Sequence, residues 1–196
     1  VQEPEIWLVR HGETEWSRAG RHTGRTDVPL TPRGVRQAEM LGRRIGSRRF
    51  ARVVTSPLSR ARETCRLSGQ ATRAEISPDL AEWDYGRWEG LTNAEIRREV
   101  PDWTIWTGAV PGGETMEQVG KRVDRVLERV RGTTGSVALF AHGHVLRIVA
   151  ARWLGLSPRE GRYLGLDTAS LSSLGHENEQ PVIRSWNESY DLVEAP

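Results

Sequence analysis

Cysteine is almost absent from this sequence: Cys65 is the only one among 196 residues. A lone cysteine cannot close an internal disulfide or build a thiolate metal cluster. It follows Thr64 in a helical stretch and is expected as a small buried residue. Lysine is equally scarce, with Lys121 alone, so nearly all basic charge is arginine. The arginines are interspersed with acids and the net charge is +2, which speaks against nucleic-acid binding. No apolar run is long enough to span a bilayer, so no membrane partner is expected. Val1 to Glu5 shows no basic-then-apolar secretory pattern, and a cytoplasmic protein is expected. There is no internal repeat, low-complexity tract or linker, so residues 1–196 are expected to form one domain.

The chain is 37% hydrophobic and 28% charged, an ordinary globular balance. Short apolar runs alternate with longer amphipathic stretches. Ile6–Val9, Val53–Thr55 and Val137–Ala141 read as buried strands, and Ala74–Ile76 as a third, weaker strand between the last two. A polar loop runs from Gly12 to about Thr31. Thr31 then reads as an N-cap before Pro32, opening a helix striped by Ala38, Leu41 and Ile45. Pro57 is expected to open another helix, capped by Ser56 and reaching Leu67. Glu114–Arg131 is the clearest helix, with Val119, Val123, Val126, Leu127 and Val130 at helical spacing. Val145–Leu154 reads as a helix, and Ser170–Glu188 as two strands joined at Asn178 and Glu179. Strands alternating with helices imply an α/β fold with a mainly parallel sheet, whose ligands bind beyond the carboxyl ends of the strands.

Chemistry-bearing residues sit at such ends. Leu8-Val9-Arg10-His11-Gly12-Glu13-Thr14 ends a strand on an arginine, a histidine and a glycine. Arginine offers a planar fork of donors to phosphate, neutral imidazole offers a nucleophilic lone pair, and glycine allows close backbone approach to an anion. Ala141-His142-Gly143-His144 repeats the pattern where a helix N-terminus follows, a natural anion site. Two histidines one residue apart can also hold a metal. No cysteine or histidine set accompanies them, so no metal and no cofactor is expected. His144 alternatively reads as a plain first-turn residue. Arg60, one turn beyond Ser56-Pro57-Leu58, can reach an anion at the helix mouth or stand as surface charge. Glu82-Trp83-Asp84-Tyr85-Gly86 sets acids among aromatic rings, an environment suited to a general acid.

Together these segments resemble the histidine phosphatase superfamily, the phosphoglycerate mutase-like proteins, over nearly the full length. The resemblance rests on Arg10-His11-Gly12-Glu13-Thr14, on Ser56-Pro57-Leu58 with Arg60, on Glu82 with Gly86 and Glu89-Gly90, and on His142-Gly143. It implies a three-layer α/β/α sandwich and a phosphohistidine intermediate. His11 is the implied nucleophile, Glu82 the acid/base, and Arg10, Arg60 and His142 the implied phosphate clamp, with His142 working best protonated and hence at moderately acidic pH. Gly143 follows His142 at the anion site. Thr23 and Gly24, after Arg21, match the family's small-residue stretch near the phosphate. Ser17 departs from the asparagine of many members and is expected to make a weaker pocket contact.

The implied activity is hydrolysis of a small phosphorylated metabolite, a sugar phosphate or related phosphomonoester. The tract Glu82-Trp83-Asp84-Tyr85-Gly86 resembles the sedoheptulose-bisphosphatase branch and some actinobacterial acid phosphatases. The alternative is a phosphoglycerate mutase. That branch carries a longer segment with a lysine and paired arginines after the acid, whereas residues 90–113 hold no lysine and only Arg97-Arg98. A catalytically dead scaffold is disfavoured because no implied catalytic position is substituted. Residues 82–113, with Trp83, Tyr85, Trp88, Trp103 and Trp106, read equally as a cap over the pocket, a core for an excursion from the sheet, or an oligomer contact in a homodimer.

Overall fold

The computed structural model describes residues 4–189. Its elements are β1 (Ile6–Arg10), α1 (Glu15–Arg18), α2 (Pro32–Ile45), β2 (Arg52–Thr55), α3 (Ser59–Leu67), β3 (Ala74–Ile76), α4 (Asn93–Glu99), α5 (Met116–Arg131), β4 (Val137–Ala141), α6 (Gly143–Trp153), β5 (Leu171–Glu177) and β6 (Gln180–Glu188). The sheet order is β3-β2-β4-β1-β5-β6. The first four run parallel, and β5 and β6 join antiparallel at one side. Asn178 and Glu179 both have positive φ, as a two-residue hairpin turn between right-twisting strands requires.

Strand alternation divides the core between the two faces of the sheet. Ile6 and Leu8 of β1, with Val137, Leu139 and Ala141 of β4, face the apolar stripes of α5 and α6. Trp7 and Val9, with Ala138 and Phe140, face Leu41 and Ile45 of α2 and Cys65 of α3. The result is the three-layer α/β/α sandwich expected from the motifs. Cys65 is buried, as expected, and burial pushes its thiol up to about 12. Among the described residues no helix is long and apolar enough to cross a membrane.

Helix starts follow their caps. Thr31 accepts from Gly34 N with Pro32 in the first turn, and Thr115 and Gln118 form a reciprocal capping box on α5. Two expectations need correction. The loop before Thr31 contains α1, whose Thr14–Ser17 capping box makes one short turn. Ser56 does not cap α3: the helix begins at Ser59 after Leu58, with no side-chain cap. The Ser56 hydroxyl instead lies 2.7 Å from His142 Nε2.

The tryptophan-rich excursion packs its rings into the apolar core that α5 and α6 share with the sheet. Trp83, Trp88, Trp103 and Trp106 are all buried. Trp83 meets Trp106 edge-on, as Trp88 meets Trp103, with centroids 6.1 Å apart in each pair. The indoles of Trp88 and Trp103 both donate to the Ala109 carbonyl at 2.9 Å. Gly108 is required here, because a Cβ would fall 2.1 Å from the Trp103 ring.

Candidate active site

Parallel register brings the strand-end motifs together. Arg10 pairs with Ala141 and Thr55 with Phe140, so the residues just beyond β1, β2 and β4 share one edge. His11 N donates to Ala141 O at 3.1 Å and Ser56 N to Phe140 O at 2.9 Å. The rings of His11 and His142 meet edge-on, 5.1 Å apart.

His11 is buried and lines a cleft of about 370 Å³. Its Nδ1 lies 2.7 Å from the Gly12 carbonyl. A carbonyl only accepts, so Nδ1 carries the proton and Nε2 keeps the lone pair. Burial first, then the charges of Arg60 and Arg10, holds this imidazole well below its usual pKa. It is therefore neutral and nucleophilic at working pH.

Arg10 donates from Nη1 to the Leu166 carbonyl. Its Nε is a buried donor without a partner, which an anion in the cleft would satisfy. Gly143 lets the guanidinium lie against the start of α6, since a Cβ there would sit 3.2 Å from Arg10 Cζ.

Arg60 occupies a different place from the expected clamp. It is fully buried and does not line the cleft. Its Nη1 donates to Thr26 O at 2.9 Å, and its Nη2 to Thr23 O at 3.0 Å and Gly24 O at 2.9 Å. Its Nε donates to His142 Nδ1 at 3.2 Å. In this arrangement Arg60 organises the 23–26 loop and fixes a histidine tautomer. Because guanidinium never accepts, His142 Nδ1 carries no proton, and Nε2–H faces Ser56. Burial, with the charge of Arg60 next, holds His142 well below its usual pKa. The expectation of a protonated His142 is corrected: it stands as a neutral donor behind His11.

Glu82 lines the same cleft, with its carboxylate at the N-terminus of α6. Oε1 accepts from Trp83 N at 2.9 Å and Val145 N at 3.0 Å, and Oε2 accepts from His144 N at 3.0 Å. The helix N-terminus therefore receives this carboxylate through its free N–H groups.

Ser17, Arg21, Thr23 and Gly143 all line the cleft, and Gly24 does not. The Ser17 hydroxyl is engaged with Thr14, donating to its carbonyl at 3.0 Å and accepting from its N–H at 2.9 Å. Arg21 donates to Gly90 O at 2.6 Å. Gly24 is a packing requirement, since a Cβ would fall 2.5 Å from both Glu89 Oε2 and Trp83 O. Gly12 answers the same need rather than the expected approach to an anion: its Cβ would lie 2.4 Å from the Gly34 carbonyl.

Several cleft residues went unnoticed or unassigned in the sequence. Tyr85 OH and His144 Nδ1 share a hydrogen bond of 2.6 Å. His22 lies between Tyr85 and Trp103 and pairs with Asn93 Oδ1 at 2.9 Å. Arg147 lies 4.6 Å over Trp106, with its Nε donating to the Gly161 carbonyl and its Nη2 to the Arg162 carbonyl. The cleft is thus lined by three arginines, Arg10, Arg21 and Arg147, and by the rings of Tyr85 and Trp106. The spacing of His144 and Arg147 was a usable signal, because i and i+3 share one helix face. Both ring nitrogens of His142 are engaged, by Arg60 and Ser56, and His144 Nδ1 is engaged by Tyr85. Among the described residues no group of three or more His, Cys, Asp or Glu is arranged to hold one.

This arrangement can hold an anion at Arg10 beside Gly143, present a neutral nucleophile to it, and set the Glu82 carboxyl group in the same cleft. Comparison with known proteins agrees. Residues 6–189 match the profile described as "Histidine phosphatase superfamily (branch 1)". The chain is 41% identical over 182 residues to an acid phosphatase of Mycobacterium tuberculosis, covering 91% of this chain and 89% of that one. It is 36% identical over 186 residues to sedoheptulose 1,7-bisphosphatase of Saccharomyces cerevisiae, covering 78% and 68%. A protein of Serratia proteamaculans named "Probable phosphoglycerate mutase" is 34% identical over 193 residues, covering 93% and 89%. The solved structure of an open reading frame product from Mycobacterium tuberculosis superposes with a TM-score of 0.88 at 38% identity, covering 95% and 98%.

Proposed function

Since the chain belongs to the histidine phosphatase superfamily, branch 1, we propose that it hydrolyses a small phosphorylated metabolite, a sugar phosphate or related phosphomonoester, through a phosphohistidine on His11. The observation that carries this reading is the state of His11. It is neutral and its Nδ1–H is spent on Gly12, which leaves Nε2 as the nucleophile in a cleft where Arg10 Nε is a buried donor without a partner.

In the first step Nε2 attacks phosphorus in line. The N–P bond forms as the bond to the leaving oxygen breaks, and that oxygen takes a proton from Glu82. In the second step water attacks the phosphohistidine and gives its proton to Glu82, and the N–P bond breaks to release phosphate. Arg10 neutralises the charge on the transferring group, with the Gly143 N–H at the start of α6, because Glu82 holds the His144 and Val145 N–H groups. As a donor, Glu82 must turn one oxygen away from its backbone partners. Tyr85 and Trp106 offer apolar faces to the carbon skeleton of a sugar.

The mutase alternative is favoured by the relative named for that activity. Against it, Arg97 and Arg98 are exposed on α4, outside the cleft, and Arg97 Nε is spent on the Trp103 carbonyl. The test is to supply sugar phosphates, sugar bisphosphates and 3-phosphoglycerate, measuring free phosphate and isomeric products together. Hydrolysis of sugar phosphates with phosphate release is expected. Efficient conversion of 3-phosphoglycerate to 2-phosphoglycerate, with little phosphate released, reverses the assignment.

A further inference from the structure

We infer that Arg122 and Glu114 are positioning residues for Glu82; this rests on the assignment of Glu82 as the acid/base. Arg122 sits on α5, within the stripe of Val119, Val123 and Val126, and is only 7% exposed. A buried arginine must find acceptors for all five of its N–H groups. Nε donates to Glu114 Oε1 at 2.9 Å, and Nη2 to Glu114 Oε2 at 2.9 Å and to the Glu82 carbonyl at 3.2 Å. Nη1 donates to the carbonyls of Asp79 and Ala81 at 2.8 and 2.6 Å. The full capacity of the guanidinium is thus spent on Glu114 and on the backbone that delivers Glu82.

Glu114 grips the other side of the same residue. Its Oε2 accepts from Asp84 N at 3.0 Å, its carbonyl accepts from Trp83 Nε1 at 2.8 Å, and its own N–H donates to Asp84 O at 3.0 Å. The chain on either side of Glu82 is therefore tied to one bidentate ion pair, and neither member of that pair lines the cleft. The carboxylate of Glu82 itself rests on the first turn of α6. The pair sets where the carboxyl group stands relative to the leaving oxygen. A planar fork is needed: lysine keeps the charge but has three donors from a single point and cannot reach three carbonyls and both carboxylate oxygens.

The test uses kcat/KM on phosphate monoesters with leaving groups from alkyl alcohols to nitrophenol. Proton donation matters for alkyl groups and little for nitrophenolate. Arg122→Lys and Glu114→Gln are each expected to slow alkyl phosphates about tenfold more than nitrophenyl phosphate, the scale of a small misplacement of a catalytic group. In the Glu82→Gln background, adding Arg122→Lys is expected to cause no further leaving-group-dependent loss. Equal slowing of all substrates by Arg122→Lys, beside a selective loss in Glu82→Gln, overturns the positioning role and leaves Glu82 as the acid. Equal slowing by Glu82→Gln itself overturns both. Should Arg122→Lys not fold, the milder Glu114→Gln decides by the same criterion.

Discussion

Acidification is expected to destabilise the free protein, with a magnitude that follows from the buried histidines. His11, His142 and His144 are all held well below the ordinary histidine value, in each case chiefly by burial. In the unfolded chain each protonates near pH 6.5. The unfolded state therefore binds more protons than the folded state below that point, and stability falls as pH falls. Between about pH 7.5 and about pH 5.5, one imidazole that stays neutral when folded costs about 1.4 kcal/mol, so the three together cost roughly 4 kcal/mol. This is a large share of the stability of an ordinary domain. The assay is urea unfolding in phosphate-free buffer across this interval, since bound phosphate stabilises the folded state by mass action. His142→Asn gives the control. An asparagine does not titrate and its Oδ1 can accept from Arg60 as Nδ1 does, so the slope should shrink by one imidazole's share. Stability that is flat down to pH 5.5, or a slope unchanged in His142→Asn, refutes the reasoning.

Activity should survive exhaustive treatment with EDTA, because charge neutralisation comes from Arg10 and the start of α6; loss by chelation, restored by zinc or magnesium, contradicts this. Gly12→Ala should cost about 1–3 kcal/mol or more, because the new methyl meets the Gly34 carbonyl, a backbone atom with little room to move; thermal unfolding measures it. Trp103→Ala should cost about 3–5 kcal/mol by opening the core of the excursion, seen as a lower midpoint in urea.

Much of the fold was legible because its signals are local. The apolar runs of β1, β2 and β4 have no competing reading, and the cap at Thr31 fixes its helix within one turn. The motifs identified His11, Arg10, Glu82 and Gly143, and the structure brings all four to one cleft. What stayed hidden depends on tertiary contacts. Ser56 followed by Pro57 looks like a cap, but its hydroxyl is taken by His142 from another strand end. Arg60 reads as a phosphate ligand until the carbonyls of the 23–26 loop claim its donors. Composition could not separate a cap from a core among the tryptophans, because both need large apolar faces. The structure makes them a core, of which Trp106 also forms a cleft wall. Arg122 was the readable signal that was missed: a charged residue inside an apolar stripe calls for a buried partner.

The central claim is a phosphoryl group carried on His11, and rapid quenching of the enzyme with a ³²P-labelled substrate tests it most directly. The account predicts label on the protein that is stable in base, lost in acid, mapped to the peptide containing His11, and absent from His11→Ala together with turnover. Substantial turnover by a folded His11→Ala protein, or label on any other residue, contradicts it.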